Sequence, residues 1–555
     1  MTARIPAGDY PELIGAAASG KVNVDNLVTD VYDFDDAVAA FKDVKLNGAN
    51  KLKTLIRIGG MRLELIRINP GDTVAVALED LAAGAVCRAG GIEVRLLDGI
   101  PFGHKVALVD IAEGENVVKY GSVIGHATKA IPAGSHVHVS NLKTNLSGTL
   151  EYAHPFSPSP LPLQDAPAFD GYPRADGRAG TRNEVWIVPT VGCVNTTAAL
   201  IAQRAKARYG DLVDDVVSFP HNMGCSQLGD DQKRTMAILA GLIANPNAGG
   251  VLVLSLGCEN NNLDVFKPYL KDADPARLRF LVTQDVEDEV EAAMELVASL
   301  VDVMKKDRRV PVSAEKLTLG FKCGGSDAFS GITANALCGR ITDRLTGCGG
   351  SAILTEVPEM FGAETQLMDR AESDEVFQRI VGMVNGFKDY FVRYGQTIYE
   401  NPSPGNKAGG ISTLEEKSLG CIQKGGSALV VDVLDYGEAC HKRGLNLLTG
   451  PGNDQISCTN LAASGANLIV FTTGRGNPYG APVPTVKLAS NARLARRKAN
   501  WIDYDAGSLL ENASFEETAE HFFRYILDVA SGRVKTRNEL NGYKEISIFR
   551  DGVIL

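Results

Sequence analysis

The chain has 555 residues, 45% of them hydrophobic and 22% charged, too many for a single core and enough for about two to four domains. Its 56 Lys and Arg against 67 Asp and Glu leave a formal charge of −11, which argues against a nucleic-acid backbone as the main partner but leaves room for an anionic metabolite at a local positive site. No apolar run approaches the roughly 18 residues of a membrane span, no basic-then-apolar leader opens the chain, and the ten cysteines form no CxxC pair. A cytoplasmic protein with reduced thiols is expected, rather than a membrane protein, a disulfide scaffold or a zinc ribbon.

Residues 1–60 read as an appendage. VYDFDDAVAAFKDVKL reads as a short turn entering an amphipathic helix, with Ala37, Val38, Phe41 and Val44 near helical spacing, and KLKTLIRI as one strand. That is too little for a core, and Met61 makes a natural start for the remainder of the chain. From there MRLELIRI, TVAVALEDL, IEVRLL, HKVALVDI, SVIGHATKAI and SHVHVSNL, separated by Gly, Pro and Asp turns, predict a small all-β domain over residues 61–145. The proline-rich stretch HPFSPSPLPLQDAPAFDGYP reads as a linker, set at residues 146–170. Beyond it, strand, glycine turn and helix alternate, as in NEVWIVPTVGCVNTTAALIAQRAKARYG, GGVLVLSLGCENNN and SALVVDVLDYG. This predicts α/β domains with mostly parallel sheets, over residues 171–305 and 306–555, with ligands at the carboxyl ends of the strands.

Three groups of residues stand out chemically. In GSHVHVSN, period-two alternation puts His136 and His138 on one face of a strand, where two imidazoles can share a metal ion, a substrate or a proton, or form a plain polar edge. Cys193, Cys225, Cys258 and Cys323 each sit beside glycine at or near a strand end, where backbone can approach a ligand closely and a small buried cysteine is equally at home. Asn195, Glu259, Asn260, Ser326, Asp327, Asn335, Glu356 and Glu359, with Lys407 in NPSPGNKAGG and Arg475 in TTGRGNPYG, supply the amides, carboxylates and cations that grip a polyhydroxylated molecule; capping and solvated loops are the competing roles.

Taken in order, GYPRADGRAGTRNEVWIVPTVGCVN, GCSQLGDD, GGVLVLSLGCENNN, CGGSDAFSGITAN, LTEVPEMFGAE, YENPSPGNKAGGISTLEEKSLGCIQKGG and TGRGNPYGAPVPTVK resemble the motif series of the altronate and galactarate dehydratases over residues 61–555, and IPFGHKVALVDI with AGSHVHVSN resembles their SAF (β-clip) domain. GCSQLGDD and TEVPEMFGAE are similar to the altronate branch. Residues 1–60 weakly resemble the C-terminal tail of medium-chain alcohol dehydrogenases, a departure from the family pattern. The resemblance implies a cytoplasmic hydro-lyase of hexuronate breakdown that converts D-altronate to 2-dehydro-3-deoxy-D-gluconate with a divalent metal, Fe2+ or else Mn2+; whether the chain forms a homo-oligomer is left open by the sequence. On this reading His104, Lys105, His136 and His138 are catalytic, and His136, His138, Cys225 and Cys258 hold the metal. Asn195, Glu259, Asn260, Ser326, Asp327, Asn335, Glu356, Lys407 and Arg475 bind the sugar acid. A galactarate or other aldonate dehydratase, an iron–sulfur hydro-lyase using three of the four strand-end cysteines, and a non-catalytic sugar-acid sensor are the alternatives.

Overall fold

A computed structural model describes residues 30–33, 54–57, 64–153, 158–511 and 513–555. It divides into two units, residues 1–64 and 65–555. In the first, strands Asp30–Asp33 and Thr54–Arg57 pair in parallel, Asp30 opposite Thr54. The expected strand in KLKTLIRI is present, but the VYD segment, read as a turn, is a strand; the helix expected over Ala37 to Val44 lies outside the described residues.

The second unit begins with the β domain. Its strands are β1 (Leu65–Ile66), β2 (Val74–Ala77), β3 (Val86–Ala89), β4 (Ile92–Arg95), β5 (Lys105–Ala107), β6 (Asn116–Lys119), β7 (Ser122–Ala127), β8 (His136–Val137) and β9 (Leu142–Lys143). They form two antiparallel sheets, in the orders β8-β5-β2-β1 and β9-β7-β6, and the hairpin β3-β4. Alternation shows in β3, where Cys87 and Ala89 are buried and Val86 and Arg88 exposed. The strand expected over SHVHVSNL is shorter than its pattern. Val137 is buried but Val139 is 50% exposed, because the chain turns after β8. Gly134 sets the entry to β8: at φ +87 it lies so close to the Arg95 carbonyl that a Cβ would sit 2.0 Å from the oxygen.

Of the residues expected to form a linker, several of the described ones, 146–153 and 158–170, are anchored on the core. Leu146, Tyr152 and Leu161 lie against the main core, the Gln164 N–H donates to Gly347 O (2.9 Å), and Tyr152 and Lys388 both donate to the buried carboxylate of Glu364. Proline-rich composition correctly predicts the lack of helix and strand in the described residues before Ala168, where side chains and the Gln164 backbone together hold the chain against the core.

Strands β10 (Ala168–Pro173), β11 (Ala179–Gly180) and, later, β16 (Val310–Ser313) form a small antiparallel sheet. Between them, β12 (Glu184–Pro189), β13 (Val216–Ser218), β14 (Ala248–Ser255) and β15 (Leu278–Val282) make a parallel sheet in the order β13-β12-β14-β15. EVWIVP is apolar throughout because both faces are covered. Val185 and Ile187 pack on helices α1 (Asn195–Tyr209) and α3 (Glu289–Met304), while Trp186 and Val188 pack on α2 (Gly229–Ile243).

The last domain is built on seven parallel strands, β17 (Thr318–Cys323), β18 (Ser351–Leu354), β19 (Val430–Leu434), β20 (Gly444–Leu448), β21 (Leu468–Thr473), β22 (Thr485–Ala489) and β23 (Tyr504–Asp505), in the order β19-β20-β18-β17-β21-β22-β23. Helices α4 (Ala334–Gly347), α5 (Asp374–Arg393), α6 (Leu414–Cys421), α7 (Asp454–Ala463) and α8 (Phe515–Ala530) accompany it. Helices α2 and α7 share one core, so the two α/β domains are continuous. The fold class expected from sequence, a small all-β domain followed by mostly parallel α/β domains, is the one observed. Among the described residues no helix is long and apolar enough to cross a membrane.

Lys388 is fully buried and its ammonium lies 2.8 Å from both Glu364 Oε1 and Tyr152 Oη. Replacing it by methionine strands the Glu364 carboxylate. K388M is expected to lower unfolding stability by about 3–5 kcal/mol, read from denaturant melts; a wild-type midpoint contradicts the pairing.

Candidate active site

The histidines converge because β5 and β8 are antiparallel neighbours. His136 lies opposite Val106 and Val137 opposite Lys105, so His104, just before β5, and His138, just after β8, flank one another. Ring centroids are 4.8 Å apart for His104 and His138, 5.1 Å for His104 and His136, and 5.6 Å for His136 and His138. His138 reaches the group from a turn rather than a strand. Its N–H donates to Asn141 Oδ1 (2.9 Å), and Asn141 Nδ2 donates to His136 O (2.8 Å).

Beneath the rings lies a buried charge triad. Glu416 of α6 accepts from Lys105 Nζ (2.9 Å) on one oxygen and from Lys119 Nζ (2.7 Å) on the other, and all three side chains are at most 1% exposed. Burial alone would raise the Glu416 pKa, but Lys105 and Lys119 hold it down at about 2. Burial lowers Lys105 to about 8, with Glu416 opposing the shift. Lys105 also donates to Gly410 O (2.7 Å) and Ser412 Oγ (2.8 Å). It is engaged on all sides, so it positions the site rather than touching a ligand.

The hydrogen bonds assign the imidazole tautomers. Lys105 donates to Ser412 Oγ and His138 Nδ1 lies 2.9 Å from the same oxygen; with the Ser412 hydroxyl as donor, His138 carries its proton on Nε2. His104 Nε2 lies 3.5 Å from Ala408 O, an acceptor, so His104 Nδ1 accepts from His136 Nε2 (2.9 Å) and His136 Nδ1 keeps a bare lone pair. Burial first, and Lys105 next, push His138 down to about 3, and burial also lowers His104 and His136. All three rings are predominantly neutral at pH 7.

The loops that carry two expected ligands for an anion both pack against residues 325–328. The short helix Pro404–Ala408 carries Lys407, and its Asn406 Nδ2 donates to Ser326 O (2.8 Å) while Ala328 N–H donates to Gly409 O (2.9 Å). Arg475 lies beside the same stretch, its N–H donating to Gly325 O (2.8 Å). Neither the Lys407 ammonium nor the Arg475 guanidinium pairs with a described residue, which leaves both free for a carboxylate.

Behind Ser326 is a second buried network. Glu356, at φ +75, takes Lys322 and Lys424; Glu359 takes Lys417 (2.9 Å) and the Cys421 thiol (2.9 Å); Cys323 Sγ meets Ser326 Oγ at 2.8 Å. A non-glycine residue held at positive φ is strain that the surroundings must maintain. Glu356 with Asp454 keeps Lys322 protonated against its burial. Asn335 closes the group, donating to Gly420 O (3.0 Å) and accepting from Thr472 Oγ1 (2.6 Å).

Several expected substrate ligands have other roles. Asn195 Nδ2 donates to His221 O (2.7 Å), Asn260 Oδ1 accepts from Ser226 N–H (2.8 Å), and Glu259 is buried among Thr190, Ser255 and backbone N–H groups, all in the second domain. Asp327 is fully engaged by Ser330, Ser490 and Asn491. The mixed ligand set expected for a metal does not assemble either. His136 and His138 face Ser412 and His104, whereas Cys225 and Cys258 lie in loops of the second domain. Among the described residues no three His, Cys, Asp or Glu side chains surround one ion position. In this arrangement the residues do not fit a single divalent ion, and no step of the reaction is routed through one.

Glu416, Ser412, Lys119, Lys322, Lys417, Lys424 and Cys421 carry almost no mark in the sequence. Their one signal is STLEEKSLGCIQKGG, charged residues on a helix that is buried over its whole length from Leu414 to Cys421. Glu416 contributes stability that is complete above pH 4.5 and is lost as pH falls toward 2. E416Q is therefore expected to cost about 3–5 kcal/mol at neutral pH and progressively less as the pH is lowered. Melts at pH 7 that match wild type contradict this.

Three family models match in order: the altronate/galactarate dehydratase SAF domain over residues 63–145, the D-galactarate dehydratase/altronate hydrolase second domain over 171–305, and the D-galactarate/altronate dehydratase C-terminal domain over 314–554. The chain is 50% identical over 495 residues to an altronate dehydratase of Bacillus subtilis, covering 88% of this chain and 99% of that one. It is 49% identical over 496 residues to an altronate dehydratase of Escherichia coli, covering 89% and 100%. A galactarate dehydratase (L-threo-forming) of E. coli is 35% identical over 512 residues, covering 87% and 96%. By matched domains and by full-length identity, the chain belongs to the altronate/galactarate dehydratase family.

Proposed function

We propose that this chain is a hydro-lyase that dehydrates altronate. The observation that carries the substrate is its half-identity to two altronate dehydratases over essentially their whole length, against a clearly lower identity to the galactarate enzyme.

The chemistry sets the requirements. Removing the C2 proton beside a carboxylate builds negative charge onto that carboxylate, so cations there lower the barrier most. Lys407 and Arg475 supply them. His136 Nδ1, unprotonated at neutral pH, takes the C2 proton. The Nε2–H of His138 donates to the oxygen on which charge develops, as a neutral imidazole can. The C3–O bond then breaks, His136 returns its proton to the departing hydroxide, and water leaves. The enol that remains, with its hydroxyl on C2, tautomerises to a 2-oxo-3-deoxy acid. Atoms and charge balance with one base.

Burial lowers His136 below its ordinary 6.5, and the base works deprotonated, so activity is expected to persist to pH values below 6.5 before its acid limb falls. H136Q is expected to lower kcat by roughly 100-fold or more at unchanged Tm, while K407M and R475M raise KM. The assay is 2-oxo acid formation from a panel of aldonates and aldarates. Turnover of galactarate but not altronate would overturn the substrate; wild-type kcat in H136Q would overturn the base.

A further inference from the structure

Three cysteines have no part in the histidine site, and they are the exposed ones. Cys193, Cys225 and Cys258 are exposed, whereas Cys440 is half-buried and the other six are buried. Each follows a glycine at the carboxyl edge of the second domain's sheet. Cys193 lies in the turn Gly192–Val194 after β12, Cys225 between β13 and α2, and Cys258 in the loop after β14. Those strands are consecutive parallel neighbours in the order β13-β12-β14, so the three loops leave the sheet side by side.

The loops are also fastened to one another. Gly192 N–H donates to Met223 O, Asn261 N–H to Gly224 O and Asn261 Nδ2 to Thr190 O, each at 3.0 Å, and Ser226 N–H donates to Asn260 Oδ1 at 2.8 Å. Glu259 ties Thr190 to Ser255 and Gly257 through its carboxylate. A Cβ on Gly224, at φ +99, would lie 2.0 Å from Thr190 O, and one on Gly192 would lie 2.8 Å from His221 O. Side chains there would drive the loops apart. Ser226, directly after Cys225, is held at φ +57.

Exposed free thiols are open to oxidation, and a packing role would bury them. Three of them, on loops this firmly coupled, make a thiolate ligand set. No three side chains surround one ion position among the described residues, which a cluster does not require, because in a cubane each thiolate binds its own iron at a separate corner. We propose that the carboxyl edge of the second domain holds a 4Fe–4S cluster through Cys193, Cys225 and Cys258. Gln284 Nε2, 3.6 Å from Cys258 Sγ, donates to one of these sulfurs, a contact that tunes cluster potential. Cys323 is buried against Ser326 in the C-terminal domain and does not supply a fourth ligand. One iron is thus left without cysteine, open to an oxygen ligand from a small molecule, unlike a cluster closed by four thiolates.

This assignment rests on no part of the dehydration reading and is tested without activity. The full chain is purified anaerobically, reconstituted with ferric iron, a dithiol reductant that supplies the ferrous share, and sulfide, then freed of excess reductant and assayed for iron, acid-labile sulfide and visible absorption. About four of each per chain and a broad charge-transfer band bleached by reductant are expected. C193S, C225S and C258S should each lose the band, while C440S keeps it. Circular dichroism melts of the cluster-free forms should coincide, with alanine variants replacing any serine variant that fails to fold. Iron without sulfide in the reconstituted wild type, or an intact band in the three variants, overturns the assignment.

Discussion

The site depends on one buried carboxylate. Glu416 is gripped by two lysines of the β domain, Lys105 on β5 and Lys119 on β6, while itself belonging to α6 of the C-terminal domain. Burying three charges is expensive, and a hydrophobic contact of the same volume is often no less stable. What the triad adds is a single seating. A shift of either domain would leave a charge in an apolar setting without its partner, so the two parts have one way to meet. Through Lys105 the same triad holds Ser412, whose hydroxyl lies 2.9 Å from His138 Nδ1. A half-buried imidazole is thus tied, through one serine, to a carboxylate that is itself wholly buried.

The rest of the molecule obeys the logic of parallel sheets. Residues at the carboxyl ends of the strands are free of ladder hydrogen bonds, and glycines there let loops approach each other and a ligand. In the C-terminal domain this edge carries Cys323, Glu356 and the loop of Arg475; in the second domain it carries the three exposed cysteines. The β domain closes over the first of these edges, with His104 against Ala408 and Gly103 close enough to Gly410 that a Cβ on the latter would lie 2.1 Å from the Gly103 oxygen.

How much of this was legible in the sequence depends on the range of the interaction. EVWIVP reads as a doubly covered strand because burial on both faces removes polar residues from a short local window. Gly beside Cys at strand ends reads as a functional edge for the same local reason. His136 and His138 are neighbours in sequence, but strand alternation pairs them only by accident of the turn, since β8 ends at Val137 and His138 is steered by Asn141. Lys105 and Glu416, 311 residues apart, carry no mutual signal in one chain, and a lysine or glutamate is read as surface until its partner is known. The expected linker misled for a related reason, because proline-rich composition reports the lack of regular structure before Ala168 and not the side-chain anchors at Tyr152 and Leu161.

The central claim is that the three histidines, Lys407 and Arg475 meet at the reacting carbons. A crystal structure of the inactive H136Q chain soaked with altronate tests it most directly. The substrate carboxylate is expected on Lys407 and Arg475, with C2 beside residue 136 and an oxygen within hydrogen-bond reach of His138 Nε2. Altronate bound with its carboxylate elsewhere, or with C2 turned away from the histidines, would contradict it.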